Sequence, residues 1–98
     1  MVTLDVLIPT YCRPTALAVT LTSLCAQTFR DFRVVISDQT EDDSPFLRGE
    51  VQAAIRVLAA HHNLVTTHTH LPRRGLAEHR QFLLEQATAP YILYLDDD

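Results

Sequence analysis

Lysine is missing altogether, cysteine occurs only twice, and no apolar run comes near the length of a membrane span. Each absence removes a class of function. Without lysine, a receiver-like signalling module lacks the late basic residue that its phosphorylatable aspartate needs, and Pro9-Thr10-Tyr11 stands where its acidic pair would follow the first strand. Cys12 and Cys25 fall in segments that read as a loop and a buried helix face, so no disulfide framework is indicated. A reducing, cytoplasmic setting is expected. The N-terminus runs straight into Leu4-Asp5-Val6-Leu7-Ile8 with neither a basic leader nor a small-residue cleavage site, and membrane association is not encoded in this segment. A net charge of -4 argues against a nucleic-acid partner, which usually demands surplus basic residues.

What the chain does have is 47% hydrophobic content across 98 residues, enough for one core and one domain. Leu4 to Thr10 reads as a buried strand stopped by Pro9 and Pro14. Leu17, Leu21, Leu24 and Cys25 then recur at helical spacing, with Pro14 suited to the first helical turn. Phe32 to Asp38 is a second strand. Ser44-Pro45 signals a helix start, with Leu47, Val51, Ile55 and Leu58 on one face, Gly49 inside it and an end near His61 to Asn63. Leu64 to His70, rich in threonine, belongs near a sheet edge. A third helix runs from Leu76 through Leu83 to about Ala89, after the break Pro72-Arg73-Arg74-Gly75. Tyr91 to Leu95 closes the pattern as a buried strand.

This alternation predicts an α/β fold: a Rossmann-like parallel sheet of about four strands with helices on both faces. Ligands in such sheets bind beyond the carboxyl ends of the strands, where strand order reverses. Thr10 and Tyr11, Asp38, and the acidic tip Asp96-Asp97-Asp98 all fall at that rim. Packed carboxylates repel unless a hard cation shares their oxygens, and Mg²⁺ or Mn²⁺ held this way usually brings substrate phosphates with it. Arg73, Arg74 and Arg80 lie close together and suit a small phosphorylated ligand. His61-His62 and His68-X-His70 have no third ligand at zinc spacing and read as surface or edge-strand residues.

Four strings in order, Ile8-Pro9-Thr10-Tyr11-Cys12-Arg13-Pro14, Ala26-Gln27-Thr28-Phe29, Ile36-Ser37-Asp38 and Tyr94-Leu95-Asp96-Asp97-Asp98, resemble the amino-terminal half of a family 2 glycosyltransferase of the GT-A fold. The resemblance spans essentially the whole chain. It implies transfer of a sugar from a nucleotide-diphosphate donor, a UDP-sugar by expectation, to an unknown sugar, lipid or protein acceptor, with inversion as the implied outcome. Nucleotide contacts are implied for Pro9, Thr10, Tyr11, Arg13, Asp38, Arg80, Asp96 and Asp97. A divalent metal, Mn²⁺ or Mg²⁺, is implied on Asp96 and Asp98. Arg80-Gln81 stands where the family shows arginine and asparagine, and Gly75 would let backbone approach the ligand.

The sequence departs from the family at Ser37, where a first aspartate is usual, so Asp38 alone carries the acid at that strand tip. The base that deprotonates the acceptor is expected beyond Asp98. Residues 1–98 therefore read as the donor-nucleotide part of a longer catalytic domain, truncated at the Asp-X-Asp motif, with no catalytic base of its own and little activity alone. The competing reading is a non-catalytic metal- and nucleotide-binding or receiver-like regulatory module. A sugar-phosphate nucleotidyltransferase would need a glycine-rich opening loop that the first strand does not lead into.

Overall fold

A computed structural model describes residues 2–97. Four parallel strands, β1 (Leu4–Thr10), β2 (Phe32–Asp38), β3 (Val65–Thr69) and β4 (Tyr91–Tyr94), form one sheet in the order β3-β2-β1-β4. Three α-helices connect them: α1 (Pro14–Cys25), α2 (Gly49–Ala60) and α3 (Leu76–Gln86). The expected Rossmann-like parallel sheet is the observed one.

The strand order explains which helix covers which face. Chain growth runs outward from β1 through β2 to β3, then jumps back past β1 to β4, so the last crossover must lie on the opposite face from the first two. Val6, Ile8, Val34 and Ile36 accordingly pack with Leu17, Leu21 and Leu24 of α1 and Val51 and Leu58 of α2. On the other face Leu7 and Val35 meet Leu83 of α3. Alternation along each strand sends successive side chains to opposite layers.

Four expectations need correction. β4 is not a buried strand: Tyr91, Ile92 and Leu93 are 67%, 38% and 47% exposed. Among the described residues it pairs only with β1, and its other long side is unpaired. Ser44-Pro45 does not open α2 either. The Ser44 hydroxyl accepts from the Phe46 amide at 3.2 Å, but it caps only a short 3₁₀ turn, Pro45–Leu47, after which Arg48 is extended. Gly49 is thus the first residue of α2 rather than an interior flaw, and Leu47 is 74% exposed. α3 ends at Gln86, short of Ala89, and Leu76 at its start is exposed while His79 and Leu83 are buried. Cys25 is only half-buried, and both cysteines are free thiols.

At the amino end of the sheet, Asp5 is fully buried and takes Arg33 on both oxygens, at 2.9 and 3.0 Å. The amides of Thr88 and Ala89 donate to the same carboxylate, fixing the turn into β4. Burial by itself would raise this carboxyl. The Arg33 bond and the two amides outweigh it and hold the group below its ordinary range.

Candidate functional site

The carboxyl ends of β1, β2 and β4 and the start of α3 enclose a cavity of about 320 Å³. Its wall includes Pro9, Thr10, Tyr11 and Arg13 after β1, and Asp96 and Asp97 after β4. Gln39, Arg73, Arg74, Gly75, Leu76 and His79 complete it. Six of the eight residues assigned to nucleotide contact therefore meet in one place, as the reversal of strand order beside β1 requires. Asp38 and Arg80 are not on the wall. Asp98 lies outside the described residues.

Backbone bonds continue the sheet to this rim. The Gln39 amide donates to Thr10 O at 3.1 Å, His70 N–H to Asp38 O at 2.8 Å, and Leu95 N–H to Leu7 O at 3.0 Å. The loop after β1 then turns through Cys12, whose φ of 53° is a left-handed conformation unfavourable for a residue with a Cβ. Thr40 holds it there. The Thr40 hydroxyl accepts from the Cys12 amide at 2.8 Å and donates to Asp38 Oδ1 at 2.7 Å, tying the first loop to the tip of β2.

Asp38 is completely buried, and its Oδ2 has no hydrogen-bond donor. Burial raises its carboxyl above the ordinary value; the bonds from Thr40 and the Gln39 amide oppose that, and the negative Asp97 nearby adds to it. A carboxylate so placed favours any ligand that brings a donor. The next residue, Gln39, presents its amide to the Arg74 backbone, with Nε2 donating to Arg74 O at 2.9 Å and Oε1 accepting from Arg74 N–H at 3.1 Å. It thereby joins the β2 tip to the arginine-bearing loop.

The acidic tip is held unequally. Asp97 is buried and accepts from the Thr10 hydroxyl, whereas Asp96 is half-exposed and pairs with Arg80 Nη2 at 3.3 Å from each oxygen. The donor set is all carboxylate oxygen, which suits a hard cation of the Mg²⁺ or Mn²⁺ type. Among the described residues no three acids, histidines or cysteines stand together as a metal-binding group. The residues fit a cation held by one or two carboxylates and completed by ligand phosphates, rather than a protein-only cage.

Arg73 and Arg74 share the cavity wall with these acids. The Arg73 guanidinium lies 3.9 Å above the centre of the Tyr11 ring, so one face of that ring is already covered by a cation. Gly75 adopts an extended φ of -64°, and a Cβ added there would meet nothing within 4 Å. Neither its backbone conformation nor a neighbouring protein atom requires glycine at this position, which lies on the cavity wall.

Sequence reasoning did not find Gln39, Thr40 or His79. His79 is buried and its Nε2 lies 2.8 Å from Ser37 Oγ, at the strand position where an aspartate was expected. Burial lowers its pKa, and the neighbouring His70 lowers it further while Glu78 opposes. The signal was available, since His79 falls three residues after Leu76 and four before Leu83 on the helix. His68 lies in β3 and His70 just past its end, and both rings meet Phe82, at 5.7 and 4.0 Å. No helix is long and apolar enough to cross a membrane among the described residues.

Solved structures share this fold. The crystal structure of S. aureus TarS superposes with a TM-score of 0.76 at 24% identity, covering 98% of this chain and 16% of that one. The TarS 1-349 structure gives 0.72 at 25% identity, covering 98% and 27%. The mannosyltransferase PcManGT from Pyrobaculum calidifontis, in complex with GDP-Man and Mn²⁺, gives 0.71 at 24%, also covering 98% and 27%. The chain thus spans about a sixth to a quarter of the length of these proteins. No curated protein sequence matches it. The model of the family described as glycosyl transferase family 2 matches residues 5–98, and on that match over nearly its whole length the chain belongs to this family.

Proposed function

We propose that residues 1–98 form the donor-nucleotide part of a glycosyltransferase that moves a sugar from a nucleotide-diphosphate donor to an acceptor not yet identified. The observation that carries this reading is the cavity whose wall holds Tyr11, Gln39, Asp96 and Asp97 together with Arg73 and Arg74. Acids and arginines on one cavity wall suit a diphosphate bridged to the carboxylates by a cation and paired directly with guanidinium groups.

Tyr11, with Arg73 stacked on it, supplies a flat platform for the base. Asp38 offers an acceptor that lacks a donor, which the imide N–H of uracil would supply. Thr10 serves by holding Asp97. Pro9 and Arg13 frame the entrance to the same cavity. Asp96, with Asp98 two positions on in sequence, would carry the divalent ion, Mn²⁺ or Mg²⁺, whose charge offsets that developing on the departing diphosphate. Asp96 and Asp97 are the only acids on the described cavity wall, and both serve the donor. The base that activates the acceptor, and with it inversion at the anomeric carbon, is therefore assigned to residues outside 1–98. The two free thiols suit a cytosolic setting.

PcManGT was solved with GDP-Man and Mn²⁺, which supports a nucleotide-sugar with a cation and makes guanine the rival base. Calorimetric titration with UDP, GDP and TDP, each with and without Mn²⁺, separates the cases. Tight binding of UDP that requires metal is the expected result; equal, metal-free binding of all three nucleotides would overturn the base and cation assignments together.

A further inference from the structure

Arg80 occupies a position that the donor-binding account leaves unexplained. It projects from α3 and is absent from the cavity wall, yet its guanidinium bridges both oxygens of Asp96, an acid that is on that wall. The two distances of 3.3 Å exceed the 2.7–2.9 Å usual for charge-assisted bonds, so the contact is mainly coulombic and can be displaced. The side chain is nevertheless well placed. Its Cζ lies 5.6 Å from the centre of the Tyr94 ring, and the Tyr94 hydroxyl donates to the Arg80 carbonyl at 3.0 Å. Its Nε is buried without an acceptor. A desolvated N–H with no partner is unfavourable and marks a side chain held ready for another acceptor.

We propose that Arg80 is a resident counter-cation for Asp96 that competes with the divalent ion, so that metal binds well only when a nucleotide diphosphate accepts the released guanidinium. The proposal rests on the donor-binding reading above. It adds an order to that reading: metal and diphosphate enter together, because each relieves the cost of the other. Asp97 cannot play the same part, since Thr10 already holds it.

Mn²⁺ binding to the 98-residue chain, followed by the electron paramagnetic resonance of the free ion at low ionic strength, tests this in wild type, Arg80→Gln and Arg80→Lys. Without nucleotide, Arg80→Gln should bind Mn²⁺ about fivefold more tightly than wild type, the scale of one half-exposed charge, and Arg80→Lys should resemble wild type. With saturating UDP the order should reverse. Equal or weaker Mn²⁺ binding by Arg80→Gln alone overturns the counter-cation role while leaving the donor reading intact. Failure of the wild type to bind Mn²⁺ even with UDP overturns both. A second measurement needs no variant: the Arg80 Nε–H resonance of the wild type should shift on adding Mg²⁺ with UDP, and an unmoved resonance at saturation overturns the proposal.

Discussion

The hydroxyl of Thr10, the last residue of β1, donates to the carboxylate of Asp97, although 87 positions separate them in the chain. This bond fixes one acid of the rim to the central strand, whereas Asp96 pairs with Arg80 on α3. Replacing Thr10 with valine keeps the shape and removes the donor, so UDP affinity in the presence of Mn²⁺ should fall by about tenfold, as expected for one charge-assisted bond. Melting temperature should change little. Calorimetry alongside thermal denaturation checks both halves of the expectation.

Asp38 should be a liability for stability. Because burial raises its folded-state pKa above the unfolded value, the protonated form favours folding, and that contribution is lost as pH rises through the folded-state value. Asp38→Asn should therefore stabilise the chain at pH 7, by about 1 kcal/mol or a few degrees, and the gain should vanish below about pH 4. The same variant should lose selectivity for UDP. Melting curves at the two pH values would contradict this if the asparagine form were the less stable at pH 7.

Asp5 should behave in the opposite way. Its folded-state pKa is lowered, so its stabilisation is present above the unfolded value and is lost as pH falls through the folded one. Asp5→Asn removes the charge and one of the two oxygens that Arg33 holds and should destabilise by about 3 kcal/mol, the usual result of breaking a buried ion pair from one side. Urea denaturation at pH 7 measures it.

His79 adds a second pH dependence on the acid side of neutrality. With its pKa lowered in the folded chain, the neutral ring is the stable form, and stability should decline as pH falls below about 6.5 towards the folded-state value. One proton limits the slope to about 1.4 kcal/mol per pH unit. Titration of the histidine ring resonances should show His79 below the ordinary value, and a normal midpoint would disprove the burial argument.

Periodicity along the chain specified every strand and α-helix, because the spacing of Leu17, Leu21 and Leu24, or the run Val34-Val35-Ile36, records which side of an element faces the core. It also placed Thr10, Tyr11, Asp96 and Asp97 at one rim, since parallel strands end on the same side. The 3₁₀ turn at Pro45 escaped, because a capping serine followed by proline suits either helix type and only the extended Arg48 ends it.

Sequence alone thus determined the element types and the end of the sheet where the chemistry gathers, both of which follow from local pattern and strand direction. Tertiary structure decided that β4 is an exposed edge, that His79 reaches Ser37 and that Arg80 reaches Asp96. An apolar run reads alike at the centre or edge of a sheet. Pairs 42 and 16 residues apart are set by strand order and helix packing, which no local spacing encodes.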